Sequence, residues 1–131
     1  MRNGITATSL LLASMVSLAQ SADSCATKQT TVEINECARV TLRAKDRELN
    51  DAYQALLRTL APEGKANNTD YAEVKKRLPD AQRAWIQFRD NDCEAKFALH
   101  ASGTMRGAVY LGCLTERTEQ RTRELREWSR G

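Results

Sequence analysis

The residues of this sequence that could do chemistry gather around two short stretches, RDNDCE (89–94) and HASGTMRG (100–107). Nucleophilic catalysis needs a Ser or Cys with a base in reach and a third group to orient that base. His100 is the only histidine, Ser102 lies near it in a turn, and no third residue is evident to hold the imidazole. A calcium loop starting at Asp90 would need Gly at its sixth position and Glu at its twelfth. Those positions hold Ala95 and Ala101. Asp90, Asp92 and Glu94 are therefore read as structural carboxylates, with Asp92 and Lys96 spaced for an i,i+4 ion pair. Zinc would need ligands in closer array than Cys25, Cys37, Cys93 and Cys113, none of which form a C-x-x-C pair. The expectation is a protein with no catalytic set, no metal and no cofactor, which acts by binding.

The cysteines have another use. Residues 1–22 read as a secretory signal peptide: Arg2, then the uncharged run ITATSLLLASMVSLA, then small residues that allow cleavage after Ala19, Ser21 or Ala22. The run is about 15 residues, short of the roughly 20 that span a bilayer. Asp23, just before Ser24 and Cys25, does not suit lipid attachment. Export gives a mature chain of about 110 residues, 23–131, in a periplasmic or secreted setting where four cysteines read as two disulfides. Without Arg2 the formal charge falls from +3 to +2. The charges are well mixed, with neither a nucleic-acid footprint nor a polybasic membrane patch.

With only two prolines and six glycines, and charged helix formers dominant, the chain reads as all-α, a small bundle of three long helices. Thr30 or Thr31 can cap a first helix over about 31–61, with Glu33 supplying a capping box. Ile34, Ala38, Leu42, Leu49, Tyr53, Leu56 and Leu60 share one face. APEGKANN (61–68) is its stop and loop. A second helix runs from Thr69 towards residue 99, with Val74, Leu78, Ala81, Trp85 and Phe88 as its apolar stripe, kinked or split at Pro79. Gln82, Arg89 and Asp90 flank the stripe as a polar network that fixes packing. After the turn at 100–107 a third helix reaches about 129, with Leu111, Leu114, Thr118, Leu125 and Trp128 on its core face.

That turn decides the cysteine pairing. Cys93 lies ten residues before Gly103 and Cys113 ten residues after it. In an antiparallel hairpin the two stand at equal height, where Cα atoms can come within the roughly 4.4–6.8 Å of a disulfide. Cys25 then pairs with Cys37 and ties the N-terminal arm to the first helix.

The ordered series of TTVEINECA (30–38), LNDAYQALL (49–57), QRAWIQFRD (82–90) with a cysteine close behind, the Gly103-Thr104-Met105 turn, and LTERTEQRTRELRE (114–127) after the last cysteine resembles the LprI-type family, the lysozyme-inhibitor LprI N-terminal domain. The resemblance runs from Cys25 to about Glu127. It implies an exported, disulfide-bonded helical domain, and for some members inhibition of lysozyme. An inhibitor of that kind must block a cleft carrying two catalytic carboxylates. The stretch best suited to enter it is HASGTMRG, with His100, Ser102, Thr104 and Arg106 as partner-binding residues; the APEGKANN loop is a second surface without a brace. A weakly basic inhibitor gains little long-range attraction from a basic lysozyme. The alternative expectation is a structural or accessory cell-envelope protein whose partner is not lysozyme.

Overall fold

In the computed structural model, residues 25–60, 65–66 and 69–130 are described. The signal peptide expected over 1–22 and most of the 61–68 loop lie outside them. Three helices account for nearly all of the described chain: α1 (Thr31–Thr59), α2 (Tyr71–Leu99) and α3 (Arg106–Trp128). Between α1 and α2, the two-residue strands β1 (Lys65–Ala66) and β2 (Thr69–Asp70) pair antiparallel, Lys65 opposite Asp70.

Each helix begins or runs where its residues dictate. Thr30 caps α1: its hydroxyl oxygen accepts from the Glu33 backbone N–H at 3.2 Å, and the Glu33 carboxylate accepts from the Thr30 backbone N–H at 3.0 Å. The Thr30 hydroxyl also donates to that carboxylate at 2.8 Å, and together these bonds hold the Glu33 carboxyl below its ordinary range. Such a box satisfies amide donors that a helix start otherwise leaves open. Asp70 caps α2 through the Glu73 N–H. Pro79 sits inside α2 without splitting it; one helix of 29 residues runs through it. A proline removes one N–H donor, here the partner of the Lys75 carbonyl, and Lys75 is solvent-exposed, where water can take that bond.

α3 is the spine, packed against both α1 and α2. Two apolar clusters lie along it. The larger joins Leu49, Ala52, Leu56 and Leu60 of the first helical segment to Leu78 and Leu125, with Trp85, Tyr53 and Val74 packed on its edge. The smaller consists of Cys93, Cys113 and Leu114, with Leu42 and Tyr110 against it. Both expected cysteine pairs are closed, Cys93–Cys113 across the turn and Cys25–Cys37 as the remaining pair, each with Cα atoms 5.6 Å apart. At the α2–α3 turn end the disulfide is itself much of the core. Cys93 is fully buried and Cys113 nearly so.

A polar belt separates the clusters. Arg89 donates to Thr118 Oγ1 and to Asp46, both at 3.1 Å, and to Asp90 at 2.9 Å, so one guanidinium joins all three helices. The expected Gln82–Arg89–Asp90 network is thus real for Arg89 and Asp90. Gln82 belongs elsewhere, accepting from Arg121 at 3.1 Å. On the far side of α3, Lys45 bridges Glu48 and Glu119, whose carboxylates raise its pKa above the ordinary lysine value.

Four expectations from spacing are corrected, the first being Ala81, placed on the α2 stripe but exposed. Phe88 and Trp128, assigned to the core, are 55% and 53% exposed. Each ring is covered on one side by an arginine of α3 instead: Arg117 stands 6.0 Å from Phe88, and Arg121 5.5 Å from Trp128. Asp92 does not pair with Lys96 one turn on. It accepts two bonds from Arg117 of α3, at 2.9 and 3.1 Å, because a guanidinium fork across the helix seam outcompetes a flexible ammonium on the same helix.

Candidate functional site

The hairpin turn between α2 and α3 is built from the disulfide outward. Above Cys93–Cys113 the next rung is Phe97 against Tyr110, edge to face with centroids 5.9 Å apart. Arg106 then lies over the other part of Phe97, 5.0 Å from its centroid, and donates from Nη1 to the Ala101 carbonyl at 3.1 Å. The backbone closes by Gly103 N–H to the His100 carbonyl at 2.9 Å. His100 Nδ1 lies 2.9 Å from the Lys96 carbonyl. A carbonyl only accepts, so Nδ1 carries the proton, and Nε2 is the ring atom left for a partner.

This ordering changes the roles of the four residues singled out from sequence. All four are exposed and lie together on the turn or at its edge. Ser102 and Thr104 sit at its outermost part. Arg106 is not a free cation reaching for a partner. Its guanidinium staples the turn to Phe97 and Ala101, and only part of its donor set remains open. His100 Nδ1 bonds to main chain, and among the described residues no hydrogen bond joins the ring to Ser102.

Sequence reasoning missed the apolar members of the turn. Leu99 is 83% exposed and Met105 is 43% exposed, flanking the polar residues on either side. Leu99 continues the α2 stripe by sevens from Leu78 and Trp85, so its period points to burial and hides its exposure; Met105 could have been noticed because it lies in the turn itself. The start of α3 adds polarity of its own. It has no side-chain cap and no acidic residue in its first turn, although the Arg106 N–H is taken by the Gly103 carbonyl at 3.4 Å and the Val109 N–H by the Met105 carbonyl at 3.0 Å.

Below the turn, Asn35 of α1 packs on Gly107, where an added Cβ would stand 3.1 Å from Asn35 Nδ2. A glycine at that point lets the start of α3 come close to α1. The Asp92 carboxylate and the sulfurs of Cys93 and Cys113 lie within 4.8 Å of one another. The sulfurs are bonded to each other and Asp92 is held by Arg117, so this group is spent on structure. Among the described residues no helix is long and apolar enough to cross a membrane.

Comparison with known proteins covers the same ground. An uncharacterised protein of Rhizobium meliloti is 37% identical over 99 residues, which make up 73% of this chain and 71% of that protein. The uncharacterised protein YecT of Escherichia coli is 30% identical over 98 residues, 70% of this chain, and the match spans only 60% of YecT. No solved structure matches significantly. The model of the family described as lysozyme inhibitor LprI matches residues 21–125. That span takes in the capped start of α1, both disulfides and the whole hairpin turn, and on it the chain belongs to the LprI family.

Proposed function

We propose that the protein is an exported, non-enzymatic binding protein that inhibits a lysozyme-type muramidase by seating the α2–α3 turn in its cleft. Family membership and two disulfides, which persist in oxidising compartments, support an extracytoplasmic setting. The observation that carries the reading is an apolar pair, Leu99 and Met105, held exposed on a turn braced from behind by a buried disulfide. A large apolar side chain kept out of the core and presented on a rigid element is what a binding anchor requires, because little conformational freedom is lost on docking.

In this reading Leu99 and Met105 fill the apolar floor of the cleft. Ser102, Thr104 and the Nε2 of His100 meet its polar groups. Arg106 acts mainly by holding the turn's shape. Inhibition is occlusion, with no bond made or broken. The test is a lysis assay with the oxidised mature chain against a panel of muramidases. The wild type protects cells from at least one of them, and Leu99→Asp with Met105→Asp abolishes protection while the melting temperature is kept. Absence of protection across the whole panel would instead favour the accessory envelope role with another partner.

A further inference from the structure

We propose that the trough between α1 and α2, on the body of the molecule and away from the turn, binds a neutral saccharide. α3 packs on both of its neighbours, and α1 and α2 leave between them an open trough of about 400 Å³. That is at the small end of the ligand-site range, roughly 300–1,000 Å³. Arg89, at its near end, stands ten residues before Leu99 on α2, about 15 Å along the helix axis.

The lining selects the ligand class. Tyr53 and Ile86 give the trough an aromatic and an aliphatic surface, and Ile86 remains 39% exposed there. Around them stand Asp46, Asn50, Gln82 and Arg89, planar side chains that each offer two or more polar atoms. Their charges are already balanced: Arg89 is paired with Asp46, and the rim residue Arg83 with Asp80. A phosphate, a nucleotide or an acidic peptide would find no uncompensated cation. Gln82 Oε1 is fixed by Arg121, which leaves its amide nitrogen to donate. Among the described residues Asn50 and Tyr53 make no side-chain hydrogen bond, so both are available. Hydroxyls that donate and accept in alternation, set on a ring with apolar C–H faces, fit such a lining.

The test is a titration of the isotope-labelled, oxidised mature chain with chitotriose and with cellotriose, read by NMR at the side-chain amides of Asn50 and Gln82. A trimer of galacturonic acid serves as the charged counterpart. Saturable shifts of those amides at millimolar sugar are expected from a neutral trimer, with the acidic trimer weaker. In the variant Asn50→Ala with Arg83→Ala, both exposed positions, binding weakens about tenfold or more, as loss of one or two hydrogen bonds requires, at unchanged melting temperature. Several results overturn the proposal: no saturable shift with either neutral trimer, shifts centred on residues 99–106, undiminished binding in the double variant, or an acidic trimer that binds as well. An unstructured amphipathic peptide is titrated in parallel. Trough shifts from the peptide and none from the sugars overturn it too, in favour of a protein partner.

Discussion

Arg89 shows how one side chain can hold a small bundle together. Its side chain is 14% exposed, and it reaches Asp46 of α1, Asp90 of its own helix and the hydroxyl of Thr118 on α3, while its guanidinium lies 5.4 Å from the Trp85 ring. Thr118 is fully buried. Removing the arginine therefore leaves a hydroxyl in the interior without its donor, besides losing a stacked ion pair. Arg89→Ala is expected to cost about 2 kcal/mol, which for a domain of this size lowers the melting temperature by roughly 10 °C. Arg89→Lys recovers only part of that, since an ammonium cannot fork between two helices. Thermal unfolding followed by circular dichroism checks both, and a change of less than a degree for Arg89→Ala would place the stability elsewhere. The residues around Arg89 were legible in the sequence as a polar cluster beside an apolar stripe. Which carboxylate each would meet was not, because partners such as Asp46 and Thr118 lie 43 and 29 residues away.

At the scale of elements, the two disulfides do different things despite similar chain entropies. Cys25–Cys37 closes a separation of 12 residues and Cys93–Cys113 one of 20, and loop-closure estimates give about 3 kcal/mol for each. Only the second pair is also core. Replacing Cys93 and Cys113 with alanine removes two buried sulfurs from a cluster whose other buried member is Leu114, and frees the rungs above it. The expected result is loss of about 3 kcal/mol or more, faster hydrogen exchange over residues 98–106, and weaker inhibition in the lysis assay. Alanines at Cys25 and Cys37 should lower stability comparably and leave exchange at the turn unchanged. Equal effects of both replacements on the turn would mean that the brace is not local. This pairing could be read from the chain because a turn centre and equal arm lengths fix register in a helical hairpin. The aromatic positions could not. Phe88 and Trp128 satisfy a helical period, yet a ring at the seam of two helices can lie against an arginine as well as against leucine, and spacing alone does not separate the two. Of the kink or split that Pro79 allows, α2 makes no split, and Lys75, whose carbonyl loses its donor, is a solvent-exposed residue.

The whole molecule carries a formal charge of +3 over its full sequence, spread over 20 basic and 17 acidic residues. Many of these are already neutralised within the fold, among them Arg89, Arg117, Arg121 and Lys45. The field at a distance is therefore weak, and the turn's own cation, Arg106, is stacked on Phe97. Such a charge distribution offers little steering towards a basic muramidase, and on the proposed reading affinity comes from contact at the turn. Exposed charges are screened beyond a Debye length of about 8 Å near physiological ionic strength, whereas burial of Leu99 and Met105 is not weakened by salt. Inhibition measured from low to moderately high sodium chloride should therefore stay level or strengthen slightly, and association rates should sit in the unsteered range of roughly 10⁵–10⁶ M⁻¹s⁻¹. A steep fall of inhibition with added salt, with Leu99→Asp still active, would move the contact from the apolar pair to the charged faces of the helices. Inhibition that persists in salt and vanishes with Leu99→Asp would fix Leu99, exposed although it continues the apolar period of α2, as the anchor that the braced turn presents.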